Sequence, residues 1–534
     1  MAFGGALLVA GSGAWVTATS YVRPHDARVV GGNLPVNEGA TDRRDIAANN
    51  SPTLVRSPVD GGRLVVVNRI DSPEYACAVH LSSDGGATWG RLAIPLPRDE
   101  EPKCFAPDAA FGADGTLHVS FVTLHGNGNV PNAVWLTSLP PDGVRLSAPV
   151  KALGSLAFQV RLVADPRRPG SLYLTWLQAA ATAFLAFPET GNPVQFSRSE
   201  DGGRTWTKPV RVSAEARARV VAPSAVVGPG GQVMVLYVDL GEDRLDYGGA
   251  HQGRGGDPYD GPWELVAARS ADRGATWAES VVDDEVVPTE RFLVFLPPSP
   301  SLVLDREGGR LYAAFTDGRA GDADVWVWRS GDGGVTWDEP VRANDTPRGD
   351  GTSQYLPRLA VAPAGRLDVL YYDRRGDPAA NVMNEVSLQS SFDGGRSFSS
   401  SVTVSDRPFS SLVGFGSERN LPDLGSRLAL VSTDQRALAV WTDTRAGTEA
   451  SRKQDLVRAL VEISPPRRLA PALDWALRAG GVTAAATGLG VVVVVSRPGP
   501  RRSGASARRG LGIHDGVVMG GDVEDDARPA GVVR

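Results

Sequence analysis

The sequence predicts an all-β fold, a β-propeller of four-stranded blades, and three observations lead there. An eight-residue box with an aromatic at its end recurs five times: 82–89 (SSDGGATW), 199–206 (SEDGGRTW), 270–277 (SADRGATW), 330–337 (SGDGGVTW) and 391–398 (SFDGGRSF). Its aspartates, Asp84, Asp201, Asp272, Asp332 and Asp393, are separated by 117, 71, 60 and 61 residues. Short apolar segments of strand character flank each box, in units of about 60 residues, the signature of a repeated all-β blade.

Each element has a local reason. Asp and Gly in the box make a tight turn, because Asp bonds nearby backbone and Gly accepts positive φ. The closing Trp or Phe packs beside that turn. A strand follows the box, such as 208–212 (KPVRV). Two more precede each box strand, as in PSAVVG with QVMVLYVD and PRLAVAP with RLDVLYYD. The first box spacing is about twice the last two, so a degenerate copy is expected midway, and 138–147 (SLPPDGVRLS) retains Asp142 and Gly143. Units open near Pro52, Pro107, Gln159, Pro223, Pro300, Pro357 and Pro422, which gives seven blades, with six as the alternative. The seventh lacks a box and ends in DLVRALVEI. Residues 27–37 (ARVVGGNLPVN) are expected to supply its outer strand and so close the ring.

The box S-x-D-x-G-x-[TS]-[WF] resembles the Asp box, or BNR repeat, of the sialidase-like propellers, and the resemblance covers roughly residues 48–463. Sialidases themselves resemble six-bladed rings. The resemblance implies a glycoside hydrolase of the exo-α-sialidase type, with its site on the face opposite the boxes. There the second strands end in a recurring acid and arginine: Asp317 with Arg319, Asp373 with Arg375, and Asp443 with Arg445. Asp239 is a fourth acid without the arginine. Three acids and three arginines on one rim suit a carboxylate or sugar hydroxyls. The competing reading is architectural, with each Asp and Arg pairing between blades.

The unit from Pro300 to Trp337 fits the family pattern best. Phe315, Asp317 and Arg319 match its second element, and Asp324 follows five residues on as candidate acid/base. Asp71, after Asn68 and Arg69, is a second candidate acid, with Arg69 as a candidate substrate contact. Tyr372 lies on the same rim as a candidate nucleophile, although an aromatic at a strand end more often packs in a core. Glu418 and Arg419 are a further loop pair on that face. The pattern is incomplete. The family's carboxylate-gripping arginine is absent two residues before the blade-opening proline, where Asn50, Phe105, Val221, Pro298, Tyr355 and Asn420 stand. No spacing identifies the family's Tyr–Glu nucleophile pair. A non-catalytic propeller binding glycan or protein is therefore the alternative function.

Composition narrows the class. There are 55 Lys+Arg against 61 Asp+Glu, a net charge of -6, which argues against a nucleic-acid partner. No P-loop and no H-E-x-x-H occurs, so no cofactor or metal is expected; Asp317, Asp322 and Asp324 read as a solvated turn in preference to a calcium site. Residues 241–263 form a long polar insertion. Residues 1–26 read as a signal peptide or signal anchor, 27–463 as the propeller and 464–478 as a juxtamembrane linker. The uncharged run 479–496 has the length of a transmembrane helix, and 497–534 form a tail that is first basic, then acidic. Arg497, Arg501, Arg502, Arg508 and Arg509 after the run favour a cytoplasmic tail and an extracytoplasmic propeller at the cell membrane. The two cysteines, Cys77 and Cys104, are expected to pair there as a disulfide between neighbouring strands. The expected partners are a glycan or glycoprotein and the membrane.

Overall fold

The computed structural model describes residues 21–23, 26–37, 47–180, 192–243, 259, 261–289, 299–414 and 424–468. Internal contacts divide the chain into two units. One, Arg23–Arg467, is the propeller; the other, Met1–Val22 with Arg468–Arg534, falls almost wholly outside the described residues. The signal segment, the run 479–496 and the tail therefore lie outside the description, as do Glu418, Arg419 and most of the 241–263 insertion. Among the described residues no helix is long and apolar enough to cross a membrane.

The propeller has seven antiparallel sheets of four strands, and Phe409–Ser410 adds a fifth strand to the sheet of blade 6. In the first six blades the strands follow chain order from the axis outward, with inner strands Asn49–Arg56, Cys104–Phe111, Ala157–Ala164, Val220–Val227, Ser301–Leu304 and Gln354–Val361. The seventh begins at Ala429, not near Pro422, as Ala429–Ser432, Arg436–Asp443 and Asp455–Ser464. Its outer strand is Asp26–Pro35, which pairs antiparallel with Asp455–Ser464 from Asp26 opposite Ser464 to Pro35 opposite Val457. The two ends of the propeller thus meet in one sheet. This closure removes the open edges that an unclosed ring of sheets would present.

The second strands are buried from end to end. In Val233–Asp239, Leu311–Asp317 and Leu367–Asp373 every residue is buried. A neighbouring blade covers each face of these sheets, so the sequence reads as a continuous apolar run, without polar alternation. Outer strands are partly exposed and vary in length, from two residues in Val210–Arg211 and Val341–Arg342 to nine in Ala278–Val286 and ten in Asp26–Pro35.

The Asp boxes form the turns between third and outer strands and repeat one bond set. In the first, the Ser82 hydroxyl donates to Asp84 and accepts from Gly86 N, while Asp84 accepts from Thr88 N and Thr88 Oγ1 at 2.9 and 2.6 Å. Thr205, Thr276, Thr336 and Ser397 bond their box aspartates in the same way. These donors stabilise the ionised carboxyl, and they hold Asp201 down at about 2. The second glycine of each box has φ between 79° and 91° and lies against the preceding blade. A Cβ on Gly274 would run into the rigid Phe196 ring, so that position needs glycine twice over. In blade 2 the turn at 138–147 is closed by backbone bonds, Gly143 N to Pro140 O and Ser147 N to Ser138 O.

Cys77 and Cys104 are disulfide-bonded with Cα atoms 5.5 Å apart. Cys77 lies on the third strand of blade 1, Ala76–Ser82, and Cys104 opens the inner strand of blade 2. The bond therefore joins two blades, not two strands of one sheet.

Candidate functional site

The antiparallel order puts the box turns on one face and the turns after the second strands on the other. Asp317, Asp373 and Asp443 all end second strands on that second face, as the repeat predicts, but they are buried and bonded. Asp317 accepts from Arg319 Nε at 2.6 Å and from the Arg319 and Val287 amides. Arg319 reaches on to Asp283, in the outer strand of blade 4, at 2.8 Å. Asp373 is held by Arg375 Nε at 2.6 Å and by Ser387 Oγ, and Arg375 continues to Asp345, beyond the outer strand of blade 5. Asp443 is held by Arg445 at 2.9 Å, and Arg445 continues to Asp406, beyond the outer strand of blade 6. Each arginine thus bonds the acid of its own turn and a second acid from the preceding blade. Burial raises the Asp317 carboxyl, and Arg319 opposes that rise.

Blade 4 reaches the same end differently. Asp239 lacks a nearby arginine in sequence, and Arg217, from the segment entering the blade, takes that place at 2.7 Å. Arg217 also bonds Glu264 and Glu279. Beneath it lies a Tyr–Glu pair that no spacing revealed: the Tyr237 hydroxyl donates to Glu279 across 42 residues. Burial first, then that bond, drives the Tyr237 phenol above its ordinary range.

The remaining expected catalytic groups are placed as follows. Asp324 is fully buried, accepts from Arg342 at 3.2 Å and from Asn344 at 2.5 Å, and serves the strand ends of its own blade. Burial raises its carboxyl. Tyr372 is also fully buried; its hydroxyl bonds Thr442 N and O in blade 7, and its ring packs on Tyr355 and Phe409. These placements correct the expectation of a rim of acids open to a substrate. Asp324 and Tyr372 are thus bonded within the fold, with no exposed surface. Among the described residues no group of three potential ligands is arranged to hold a metal ion.

Asp71 differs. It bonds Arg69 at 3.0 Å and Asn50 at 2.7 Å through Oδ2, while Oδ1 is buried without a partner. The Arg69 guanidinium lies 5.2 Å from the centroid of the Phe105 ring.

The structure also reveals residues that the sequence reading passed over. The inner strands of blades 1, 2, 3, 4 and 6 each carry a bulge after a left-handed residue: Ser51, Ala106, Gln159, Ala222 and Leu356. A bulge re-aims the side chain that follows it. Two positions on stand Thr53, Asp108, Arg161, Ser224 and Arg358, all lining a central channel of about 610 Å³. Ser301 of blade 5 lines it too, and Arg427, two residues past Gly425 with φ 86°, joins from the segment entering blade 7. The reading looked two residues before the blade-opening proline, whereas the bulge brings the residue just after it into the channel. Pro357-Arg358 carried that signal; Arg161 and Arg427 have no proline before them.

Three arginines therefore reach the channel from these positions, and Arg56 and Arg306 line it as well. Arg161 donates to Ser299 Oγ at 3.2 Å and Arg427 to Pro107 O at 2.8 Å. Arg358 has no hydrogen-bond partner among the described residues, and Nε of both Arg358 and Arg427 is buried and unbonded. Asp108 lies among them, but its oxygens accept from Thr53 Oγ1 and Leu162 N at 2.9 and 3.0 Å. Burial and the neighbouring arginines lower the guanidinium pKa of Arg358 and Arg427.

No known family profile matches the chain, and no curated protein matches it. Solved structures resemble it weakly. The phage phi92 endosialidase does so at 11% identity and TM-score 0.47, over 83% of this chain and 70% of that one. The Hadza microbial sialidase Hz136 gives 16%, 0.40, 77% and 65%, and a PL25 ulvan lyase gives 14%, 0.43, 80% and 98%. The chain's own seven closed sheets and five Asp-box turns define the class: in fold this is a sialidase-like β-propeller.

Proposed function

We propose that the chain is a glycan-acting propeller that takes the anionic part of an acidic glycan into its central channel. One observation carries this: Arg161, Arg358 and Arg427 converge on the channel and Nε of Arg358 and Arg427 is unfilled, while the nearby carboxylate is already bonded. Buried donors without acceptors cost stability, and an anionic ligand would fill them. Titration of the full chain with sialyl- and glucuronyl-oligosaccharides against their neutral counterparts tests the reading. Acidic ligands should bind and neutral ones should not, and Arg427→Gln should abolish the difference. Equal binding of the neutral set contradicts it.

A hydrolytic role, of the exo-sialidase type that the Asp boxes suggest, is the second reading, and the unpartnered Asp71 Oδ1 favours it. Asp71 would then act as the acid beside Arg69. A fluorogenic sialoside and a panel of other glycosides, assayed from mildly acidic to mildly alkaline pH, decide the point. Turnover lost in Asp71→Asn supports hydrolysis; no turnover of any glycoside leaves a binding propeller. The propeller would act outside the cytoplasm, tethered by residues 479–496. The inter-blade disulfide supports an oxidising compartment, and the arginines after the apolar run support the orientation. Recovery of the chain in the soluble fraction after cell lysis would contradict the tether.

A further inference from the structure

We propose that the channel group is a site for a doubly charged tetrahedral oxyanion, a sulfate or phosphate, held between Arg161, Arg358 and Arg427. This rests on the reading that the channel receives an anion, and it specifies which kind.

Charge is the first argument. The channel is lined by five arginines and three acids. Three of those arginines, Arg161, Arg358 and Arg427, stand with Asp108 at or beside the bulge positions of the inner strands. The excess is two positive charges, and Arg69 nearby is neutralised by Asp71 at 3.0 Å. A single carboxylate would leave one half-buried cation uncompensated. A phosphate monoester, inorganic phosphate or inorganic sulfate supplies two negative charges.

Shape is the second. The three arginines come from blades 3, 6 and 7, so they approach from different sides of the axis. A carboxylate offers two oxygens in one plane, and one guanidinium fork takes both. A tetrahedral group offers a further oxygen, out of that plane, to donors arriving from elsewhere. The free Nε atoms of Arg358 and Arg427 are donors of this kind.

Calorimetric titration of the full chain at neutral pH, with ionic strength held by chloride, tests the assignment. Phosphate and sulfate should bind roughly tenfold or more tightly than acetate and glucuronate. Glucose 6-phosphate separates the sources: tighter binding than free phosphate places the group on a glycan, and weaker binding makes it an inorganic ion. Arg358→Gln should weaken phosphate binding roughly tenfold, and Arg204→Gln, on the box face, should leave it unchanged. Arg427→Gln is the second variant should the first not fold, as judged by thermal melting. Glucuronate binding as tightly as phosphate overturns the oxyanion assignment while keeping the acidic-glycan reading. Binding of none of these anions overturns both, and unchanged phosphate affinity in Arg358→Gln overturns the site.

Discussion

Arg319, Arg375 and Arg445 each hold two carboxylates, whereas Arg161, Arg358 and Arg427 share a channel in which Asp108 is already bonded to Thr53 and Leu162. All six are arginines of a β-propeller, and their chemical states are opposite. The first three fasten blades 4 to 7 to one another. The second three keep donor capacity that the fold does not use. In this molecule a repeated acid and arginine mark architecture, and an arginine without a carboxylate marks the place for a ligand.

The two seams of the ring differ in the same spirit. Blades 1 and 2 have Ile70 and Thr123 where the later blades have the clamping aspartates, and there a disulfide fastens the seam. Removing it by Cys77→Ser with Cys104→Ser should cost the most, about 3.5 kcal/mol from loop closure alone, read by urea unfolding under oxidising conditions. A loss well under 1 kcal/mol would show that packing suffices at that seam. Breaking a clamp comes next. Asp317→Ala leaves Arg319 with Asp283 alone and should cost about 3 kcal/mol, with no change in anion affinity. A change in affinity would move the clamp into the binding machinery.

The channel arginines should behave the other way. Arg358→Met removes a half-buried, unpartnered charge and should leave stability unchanged or raise it by about 1 kcal/mol in ligand-free buffer, while anion binding falls. A large loss of stability would make Arg358 a structural group like Arg319. The smallest effect should come from the box turns. Asp201 titrates at about 2, below its ordinary carboxylate value. A depressed folded pKa gives stability that is present above the unfolded value near 4 and is lost as pH falls through about 2. Asp201→Asn should therefore flatten the acid limb of a stability–pH curve, and an unchanged limb would show that the turn's backbone bonds carry it.

Much of the fold was legible because its signals are local. Each Asp box specifies a turn within eight consecutive residues, and five copies set the blade period. The closing strand was legible by elimination, since a seventh unit without a box leaves one sheet short and 27–37 supplies the missing alternation. The site was less legible because its meaning lies in long-range partners. Asp317 and Arg319 stand out in the sequence, but Asp283, which completes their clamp, lies 36 residues from Arg319. Likewise Arg358 is one apolar-flanked arginine among many until the bulge at Leu356 brings it into the channel with Arg161 and Arg427. A register shift of one residue decides which side chains face the axis, and for Arg161 and Arg427 no preceding proline announced it.

The most direct test is anomalous diffraction from crystals of the full chain soaked in selenate, a heavy analogue of sulfate. A selenium peak within hydrogen-bonding reach of Arg161, Arg358 and Arg427 is the predicted result. Well-ordered channel arginines with no peak between them, at selenate concentrations that label other surface sites, would contradict the account.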